Sequence, residues 1–458
     1  MKVVILGAGQ VGGTIARYLA QEGNDVVIVD QDPNLIRILT DELDVVGIVG
    51  FASHPNILEQ AGLNDADMLI AVTHSDEVNM IACLMAQTLF GVPTKIARVR
   101  DKSYSNSKWS SVFSSELLGI DAVISPEIEV AEAIHRRLEV PGAFDAIPFA
   151  DNLVTLIGVR CTENCPILNT PLKHLTTLFP DLHVTVIGIV RNDIKIIPED
   201  MDSILPGDQV YFIAETKHLK RALSAFGHEE KEARRLIIVG GGHIGSYLAQ
   251  LIAKHDKGSD VKIIELDRKH AESIAQALPE FAVIRGDALD EAILSEANVS
   301  GAETIIAVTN NDEVNILSSL LAKRAGCQRS VTLINSTSYA PIIGVLGIDA
   351  VVSPKVTTVS IVLQHIRRGK VRSAYSLGND FGEVLELEAL DTSPLVGAPL
   401  RDIKFPDGIV IGAIVRRDNV IMPTGNTQVE PEDRVILFAR SDMVKKAQRM
   451  FAVKLEFF

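Results

Sequence analysis

The chain has 458 residues, 47% hydrophobic and 22% charged, with a formal net charge of −15. That length is too great for one core and suits two to four domains of ordinary globular composition. The acidic balance argues against nucleic acid as a partner, and no apolar run reaches the roughly 18 residues of a membrane span.

Residues 3–6 are a short apolar run, the pattern of a strand buried on both faces of a parallel sheet. Met1 leads directly into it, so no signal peptide is expected. Gly7, Gly9 and Gly12 follow in G-x-G-x-x-G spacing. In that pattern the glycines serve the tight turn, the approach of backbone to a pyrophosphate, and close helix–strand packing. Val11, Ile15 and Leu19 then give a helix one apolar face, ended by Gly23 and Asn24. Residues 26–29 form the next strand. Asp30 closes it, 23 residues after Gly7, where a carboxylate accepts from a ribose 2′-OH.

A helix over 31–43 comes next, then strands at 45–49, 68–72 and 94–99, with a helical turn at 57–61. Asp76 is expected to cap a helix running to about Phe90. A sixth strand, GIDAVIS, occupies 119–125, and a helix with one apolar face covers 126–139 until Pro141 and Gly142 break it. Coming after the last strand, that helix is free to leave the unit and pack elsewhere. From 143 to about 226 the texture becomes β-rich, with strands at 153–159, 184–190 and 210–214 and a turn at Pro206-Gly207-Asp208. Residues 227–235, GHEEKEARR, read as a linker.

The chain then starts again. Gly240, Gly242 and Gly245 repeat the glycine spacing, and Glu265 takes the place of Asp30. IAVTNNDEVN at 306–315 matches IAVTHSDEVN at 70–79 in eight of ten positions, and GIDAVVSP at 347–354 matches GIDAVISP at 119–126 in seven of eight. Strands are expected at 384–387, 409–415 and 434–439. The fold class is therefore α/β: two Rossmann-like, doubly wound parallel-sheet domains, each followed by a small α+β domain. The expected spans are 1–125, 126–226, 233–353 and 354–458.

In a bound pose Gly7, Gly9 and Gly12 cradle the phosphates, and Gln10 and Val11 add backbone N–H groups at a helix N-terminus. Asp30 takes the ribose and Asp32 lies at the rim. Thr73 and His74 leave the fourth strand toward the same crevice, and Arg98 and Arg100 leave the fifth where a guanidinium can meet a phosphate. Asp76 and Asn79 have the alternative role of simply capping and bracing their helix. The second set is Gly240, Gly242, His243, Ile244, Gly245, Glu265, Asp267, Thr309 and Asn310. The copies are unequal: Arg98 aligns with Leu333, Arg100 with Asn335 and Arg17 with Gln250, so the second crevice lacks the guanidinium candidates. Both sites are expected to bind an adenine nucleotide with different affinity or preference.

No metal site is expected. Cys161 and Cys165 have C-x-x-x-C spacing without a second pair or nearby histidine, and with Cys83 and Cys327 they read as reduced thiols. There is no P-loop, no H-E-x-x-H and no catalytic triad order. A dehydrogenase would also need an acid–base group beside its cofactor, and the small domains show no such cluster. No enzyme activity is expected.

The duplicated glycine motifs, the acids Asp30 and Glu265, the AVTxxDEVN strings and the GIDAVxSP strings together resemble the RCK (KTN/TrkA) family, regulators of potassium conductance. With two modules in one chain, the sequence looks like the tandem members, NAD-binding subunits of bacterial potassium uptake. The resemblance implies NAD(H) as ligand, with ATP/ADP as further candidates. It implies a cytoplasmic protein, peripheral on the inner face of the plasma membrane, gating an integral-membrane, Trk-type potassium transporter subunit. It also implies a homotetramer giving a ring of eight RCK units. A regulator of another cation transporter and an NAD-dependent oxidoreductase are the competing readings.

Overall fold

The computed structural model describes residues 1–100, 104, 117–179, 182–256, 258–366, 371–377 and 381–451. The sequence also predicts a second crossover helix from Pro354 to about Arg368, and its end, like the last residues to 458, lies outside the described residues. The chain divides into two bodies, Met1–Glu129 with Pro354–Arg367, and Val130–Ser353 with Arg368–Phe458.

In the first body the elements are β1 (Lys2–Leu6), α1 (Gln10–Gln21), β2 (Asp25–Asp30), α2 (Pro33–Glu42), β3 (Val46–Val49), α3 (Pro55–Gln60), β4 (Met68–Ala71), α4 (Asp76–Met85), β5 (Thr94–Arg98) and β6 (Ala122–Ile124). The six strands pair in parallel in the order β3-β2-β1-β4-β5-β6. That order reverses direction between β1 and β4, which opens a crevice at the carboxyl ends of those strands. Val3 to Leu6 and Met68 to Ala71 are wholly buried, as strands covered on both faces must be.

Residues Pro126–Glu139 form one helix, α5. The division between the bodies falls within it, after Glu129.

In the second body the first small domain holds β7 (Ala143–Phe149), β8 (Val154–Arg160), α6 (Leu175–Leu178), β9 (Val184–Arg191), β10 (Ile194–Ile196), β11 (Gln209–Glu215) and α7 (Leu219–Ala225). The second glycine-turn domain follows with β12 (Arg235–Val239), α8 (His243–His255), β13 (Asp260–Glu265), α9 (Arg268–Ala277), β14 (Ala282–Arg285), α10 (Glu291–Glu296), β15 (Thr304–Ala307), α11 (Asp312–Arg324), β16 (Arg329–Leu333), α12 (Ala340–Leu346) and β17 (Ala350–Val352). Its order, β14-β13-β12-β15-β16-β17, repeats that of the first sheet.

Helix α13 (Pro354–Ile366) comes next and belongs to the first body, where it packs against α1 and β6. The last small domain, back in the second body, has β18 (Val371–Ser376), β19 (Gly382–Glu388), β20 (Ile409–Arg416), β21 (Asn419–Ile421), β22 (Arg434–Arg440) and α14 (Val444–Phe451).

The two crossover helices thus trade places. Val130, Ala131, Ile134 and Leu138 of α5 enter the core of the second parallel sheet beside Leu248, Ala249 and Ile252 of α8. His135 of α5 also meets Asp256, at the end of α8, at 3.1 Å. Apolar periodicity shows that such a helix has a face to bury, and it does not say against which copy.

The small domains are antiparallel sheets of five strands, ordered β10-β9-β11-β8-β7 and β18-β19-β22-β20-β21. Three strands in each are legible in the sequence. The two that are not, β7 and β10 in one and β18 and β21 in the other, are the sheet edges. Edge strands are short or carry residues such as Pro148 that central strands avoid, so their pattern is weak. The sheets pack face to face through Phe149, Leu156, Ile187 and Ile213 against Phe381, Val384, Ala413 and Phe438.

A buried polar cluster ties these parts together within the second body. The Arg137 guanidinium of α5 donates to Asp145 at 2.6 Å and to the carbonyls of Phe144 and Ala133 at 2.8 Å each. The Tyr375 hydroxyl of β18 donates to the other Asp145 oxygen at 2.8 Å. Burial pushes the Tyr375 phenol well above its ordinary range, so it keeps that proton. Arg329 of β16 donates to the carbonyls of Arg137 and Ala143. Each small domain also holds a repeated bracket: Arg191 grips Asp208 through both oxygens, as Arg416 grips Asp433. Asp208 follows the turn expected at Pro206-Gly207, and Asp433 follows the equivalent turn at Pro431-Glu432.

Asp145→Ala removes the carboxylate that, among the described residues, is bonded to the Arg137 guanidinium, 6% exposed. It is expected to destabilise the protein by about 3 kcal/mol, the cost of orphaning a buried charge, and Tyr375→Phe by about 1 kcal/mol. Denaturant titration checks both, and equal midpoints for the Asp145 variant and wild type would show that the cluster carries no stability.

Candidate functional site

Each crevice is built by a turn that only glycine allows. Gly7 has φ +106°, and a Cβ there would sit 3.0–3.1 Å from Val72 and Thr73 backbone atoms. A Cβ on Gly12 would lie 1.8 Å from the Gly7 carbonyl oxygen. Gly240 and Gly245 reproduce both contacts, with φ +98° and a Cβ 2.0 Å from the Gly240 oxygen. The middle glycines differ: Gly9 and Gly242 have nothing within 4 Å of a Cβ. These positions are open and lie at the starts of α1 and α8, neither of which has a side-chain cap.

The first intrahelical bonds run from Gly13 N–H to the Gly9 carbonyl, 2.8 Å, and from Ser246 N–H to the Gly242 carbonyl, 2.9 Å. The N–H groups of Gln10, Val11 and Gly12, and of His243, Ile244 and Gly245, thus precede the hydrogen-bonded ladder. Uncapped N–H groups, a helix dipole and an open glycine fit an anion such as a pyrophosphate.

The acids stand beside these turns. Asp30 accepts from Ala8 N–H at 2.6 Å and from Asp32 N–H at 2.9 Å. Glu265 accepts from Gly241 N–H at 2.7 Å and from Asp267 N–H at 2.9 Å. Each carboxylate keeps lone pairs for a ribose hydroxyl. The longer Glu265 comes with a smaller neighbour: a Cβ on Gly241 would lie 3.2 Å from Glu265 Oε2 and 2.2 Å from Ile274 Cδ1. The space at Gly241 is taken chiefly by Ile274 and, less tightly, by the longer Glu265. Asp32 and Asp267 cap α2 and α9, accepting from Asn34 and His270 N–H groups at 2.8 Å each.

On the far side of the crevice Thr73 and Thr309 abut Gly7 and Gly240. They are held by asparagines that are wholly buried. Asn79 Oδ1 accepts from the Thr73 N–H and hydroxyl at 2.9 and 2.7 Å, and its Nδ2 donates to the Arg98 carbonyl at 2.9 Å. Asn315 makes the same bonds to Thr309 and to the Leu333 carbonyl. The bracing role weighed for Asn79 is thus the one the structure shows. His74 and Asn310 are exposed beyond these threonines.

Asp76 does not cap α4. Ser75 does, its hydroxyl accepting from Val78 N–H at 3.2 Å. Asp76 instead binds the Arg100 N–H at 2.9 Å, and Asp312 binds the Asn335 N–H at 2.9 Å. The error arises because Ser75 and Asp76 are both good capping residues one position apart.

The arginines bond to groups of the chain itself. Arg98 pairs with Glu127 of α5 at 2.8 Å, both in the first body. Its Nε and the Glu127 Oε2 are buried without a hydrogen-bond partner. The Arg100 guanidinium donates to the His74 carbonyl. Arg17 lies along α1, exposed, and pairs with Glu42 at 2.7 Å. Glu127 is the member that sequence reasoning missed. Its signal was the paired change of Arg98 to Leu333 and Glu127 to Lys355 between the copies.

The cysteines are free and buried. The neighbouring Cys161 thiol holds Cys165 below the ordinary thiol range, and Cys165 together with burial pushes Cys161 up. Among the described residues no cluster of His, Cys, Asp and Glu could hold a metal ion. Likewise no described helix is long and apolar enough to cross a membrane.

Gly241→Ala is expected to cost about 1–3 kcal/mol through overpacking, and the double change Gly241→Ala with Glu265→Asp to recover part of it. Melting temperatures of the two variants test this packing, which an unshifted Gly241→Ala would contradict.

Residues 3–126 and 236–354 match the TrkA-N domain family, and residues 156–227 and 384–452 the TrkA-C domain family. The chain is 51% identical to the Trk system potassium uptake protein TrkA of Azorhizobium caulinodans, covering 100% of both chains. It is 40% identical to the protein of that name from Halomonas elongata, again over 100% of both. Among solved structures, the GsuK RCK domain aligns with TM-score 0.61 at 17% identity, covering 98% of this chain and 94% of that one. The GsuK channel bound to NAD aligns with TM-score 0.60 at 17% identity, covering 98% and 78%. At such identities the structural likeness speaks to the fold.

Proposed function

The chain belongs to the TrkA family of Trk potassium uptake proteins, and from that premise we propose that it is a nucleotide-sensing regulatory subunit of a potassium uptake system. It binds NAD(H) in crevices built on Gly7–Gly12 with Asp30 and on Gly240–Gly245 with Glu265, and ATP or ADP competes there. Four chains form a ring of eight units on the cytoplasmic face of a membrane-embedded potassium-conducting partner. Ligand binding shifts that ring between shapes that close or open the partner. The reading assigns no chemical step to the chain.

The observation that carries it is the repetition of one ligand-ready geometry. Both copies have an open glycine at an uncapped helix start, and both have a carboxylate bonded to the turn beside it. When bound, the dinucleotide supplies the signal by its redox state. The chain's own groups hold it: backbone N–H groups meet the phosphates and Asp30 or Glu265 meets a ribose. A ligand then gates only through differential affinity. A tenfold preference for one ring shape shifts the equilibrium by about 1.4 kcal/mol.

The crevices act unequally in this reading. Arg98 is drawn either to Glu127 or to a nucleotide phosphate, whereas Leu333 offers no such exchange. Calorimetric titration of NADH and ATP into wild type, Asp30→Ala and Glu265→Ala tests the assignment. Each variant is expected to lose one class of site, and retention of both classes in both variants would overturn it. Steady consumption of NADH with a small substrate would favour an oxidoreductase instead. Glu127→Gln, which weakens the hold on Arg98, is expected to tighten ATP binding at the first crevice severalfold; weaker or equal binding would end the competition argument.

A further inference from the structure

The rims of the two crevices differ at a place the glycine turns do not reach. In the first sheet β3 runs beside β2, with Val49 opposite Asp30 and the Gly50 N–H on the Asp30 carbonyl at 2.9 Å. The chain then presents Phe51, 41% exposed. Its ring lies against His54, centroids 5.0 Å apart and planes at 37°. The His54 N–H to Phe51 carbonyl bond, 3.0 Å, closes the turn that brings the rings together. In the second sheet the Gly286 N–H binds the Glu265 carbonyl in the same way, at 3.0 Å. The corresponding residues there are Asp287 and Asp290.

The substitution goes against local structure. Asp290 caps α10, accepting from the Ala292 N–H at 2.9 Å, whereas His54 at the start of α3 makes no side-chain cap bond. Asp287 likewise accepts from the Leu289 N–H at 2.9 Å. The first copy therefore gives up capping groups and exposes a large apolar ring. Local rules are broken most often where a site needs something else. Three adjacent strand ends carry the relevant groups: the glycine turn on β1, Asp30 on β2 and Phe51 just past β3. Neighbouring strands are about 4.8 Å apart, so a ligand laid from phosphate across ribose continues onto the β3 end with its base.

We propose that Phe51, backed by His54, is a stacking platform for the purine base of the nucleotide in the first crevice, and that its replacement by Asp287 leaves the second crevice without one. The inference rests on the nucleotide-binding reading above and adds the group that selects the base. A π-face is what a flat purine ring recognises, and base–aromatic stacking is sequence-tolerant and strong. The first crevice thus discriminates ligands by their adenosine half. The second relies on phosphate and ribose contacts.

The test uses the full chain in a Glu265→Ala background, with ADP, NADH and reduced nicotinamide mononucleotide, which lacks adenosine. Phe51→Ala is expected to weaken ADP and NADH about fivefold or more, the scale of one lost base stack, and to leave the mononucleotide unchanged. Phe51→Tyr retains tight binding. In the converse arm, a Asp30→Ala background, Asp287→Phe tightens ADP in the second crevice. Unchanged ADP affinity in Phe51→Ala overturns this proposal alone. So does a change of oligomeric state in sedimentation without a change in ADP affinity, which makes the patch an interface between copies. If the parent protein binds no adenine nucleotide, the nucleotide-sensing reading itself falls.

Discussion

The contact between the third glycine and the first in each turn constrains everything around the crevices. With no side chain on Gly12, the start of α1 sits directly on the Gly7 carbonyl, so the helix dipole is aimed across the end of β1. That placement leaves Gly9 open and brings Ala8 within reach of Asp30. A single methyl group at Gly12 would force the helix away and undo all three relations. The second copy obeys the same constraint at Gly240 and Gly245, which is why both crevices have one shape although their rims have diverged.

The divergence is orderly. Where an acid lengthens, its neighbour shrinks, as in Asp30 with Ala8 and Glu265 with Gly241. Where a buried cation is lost, as from Arg98 to Leu333, its Glu127 partner is replaced by Lys355. Where a capping acid is lost, as from Asp290 to His54, an aromatic pair appears. Each change is compensated within a few ångströms, so two sites of equal backbone can hold different chemistry.

The second body shows how the duplicated parts are made into one object. Arg137, Asp145, Tyr375 and Arg329 come from a crossover helix, two different small domains and a parallel sheet. A buried polar network of this kind is costly when any member is missing and directional when complete. It specifies how these elements meet more sharply than the apolar packing around it, which tolerates many arrangements.

Much was decided by the chain itself. Glycine spacing, the acids at the ends of β2 and β13, alternating apolar runs and the repeated strings determined two Rossmann-type units, their crevices and their duplication, because these depend on contacts within about thirty residues. The edge strands β7, β10, β18 and β21 escaped because an edge needs little patterning. The assignment of Asp76, the pairing of Arg98 with Glu127 and the ring contact of Phe51 with His54 depended on which side chain reaches which neighbour. The exchange of α5 and α13 between the two parallel sheets could come only from the tertiary structure. Beyond Pro126 and Pro354 the two helices share little, and the sequence of a helix records that it must be buried without recording by whom.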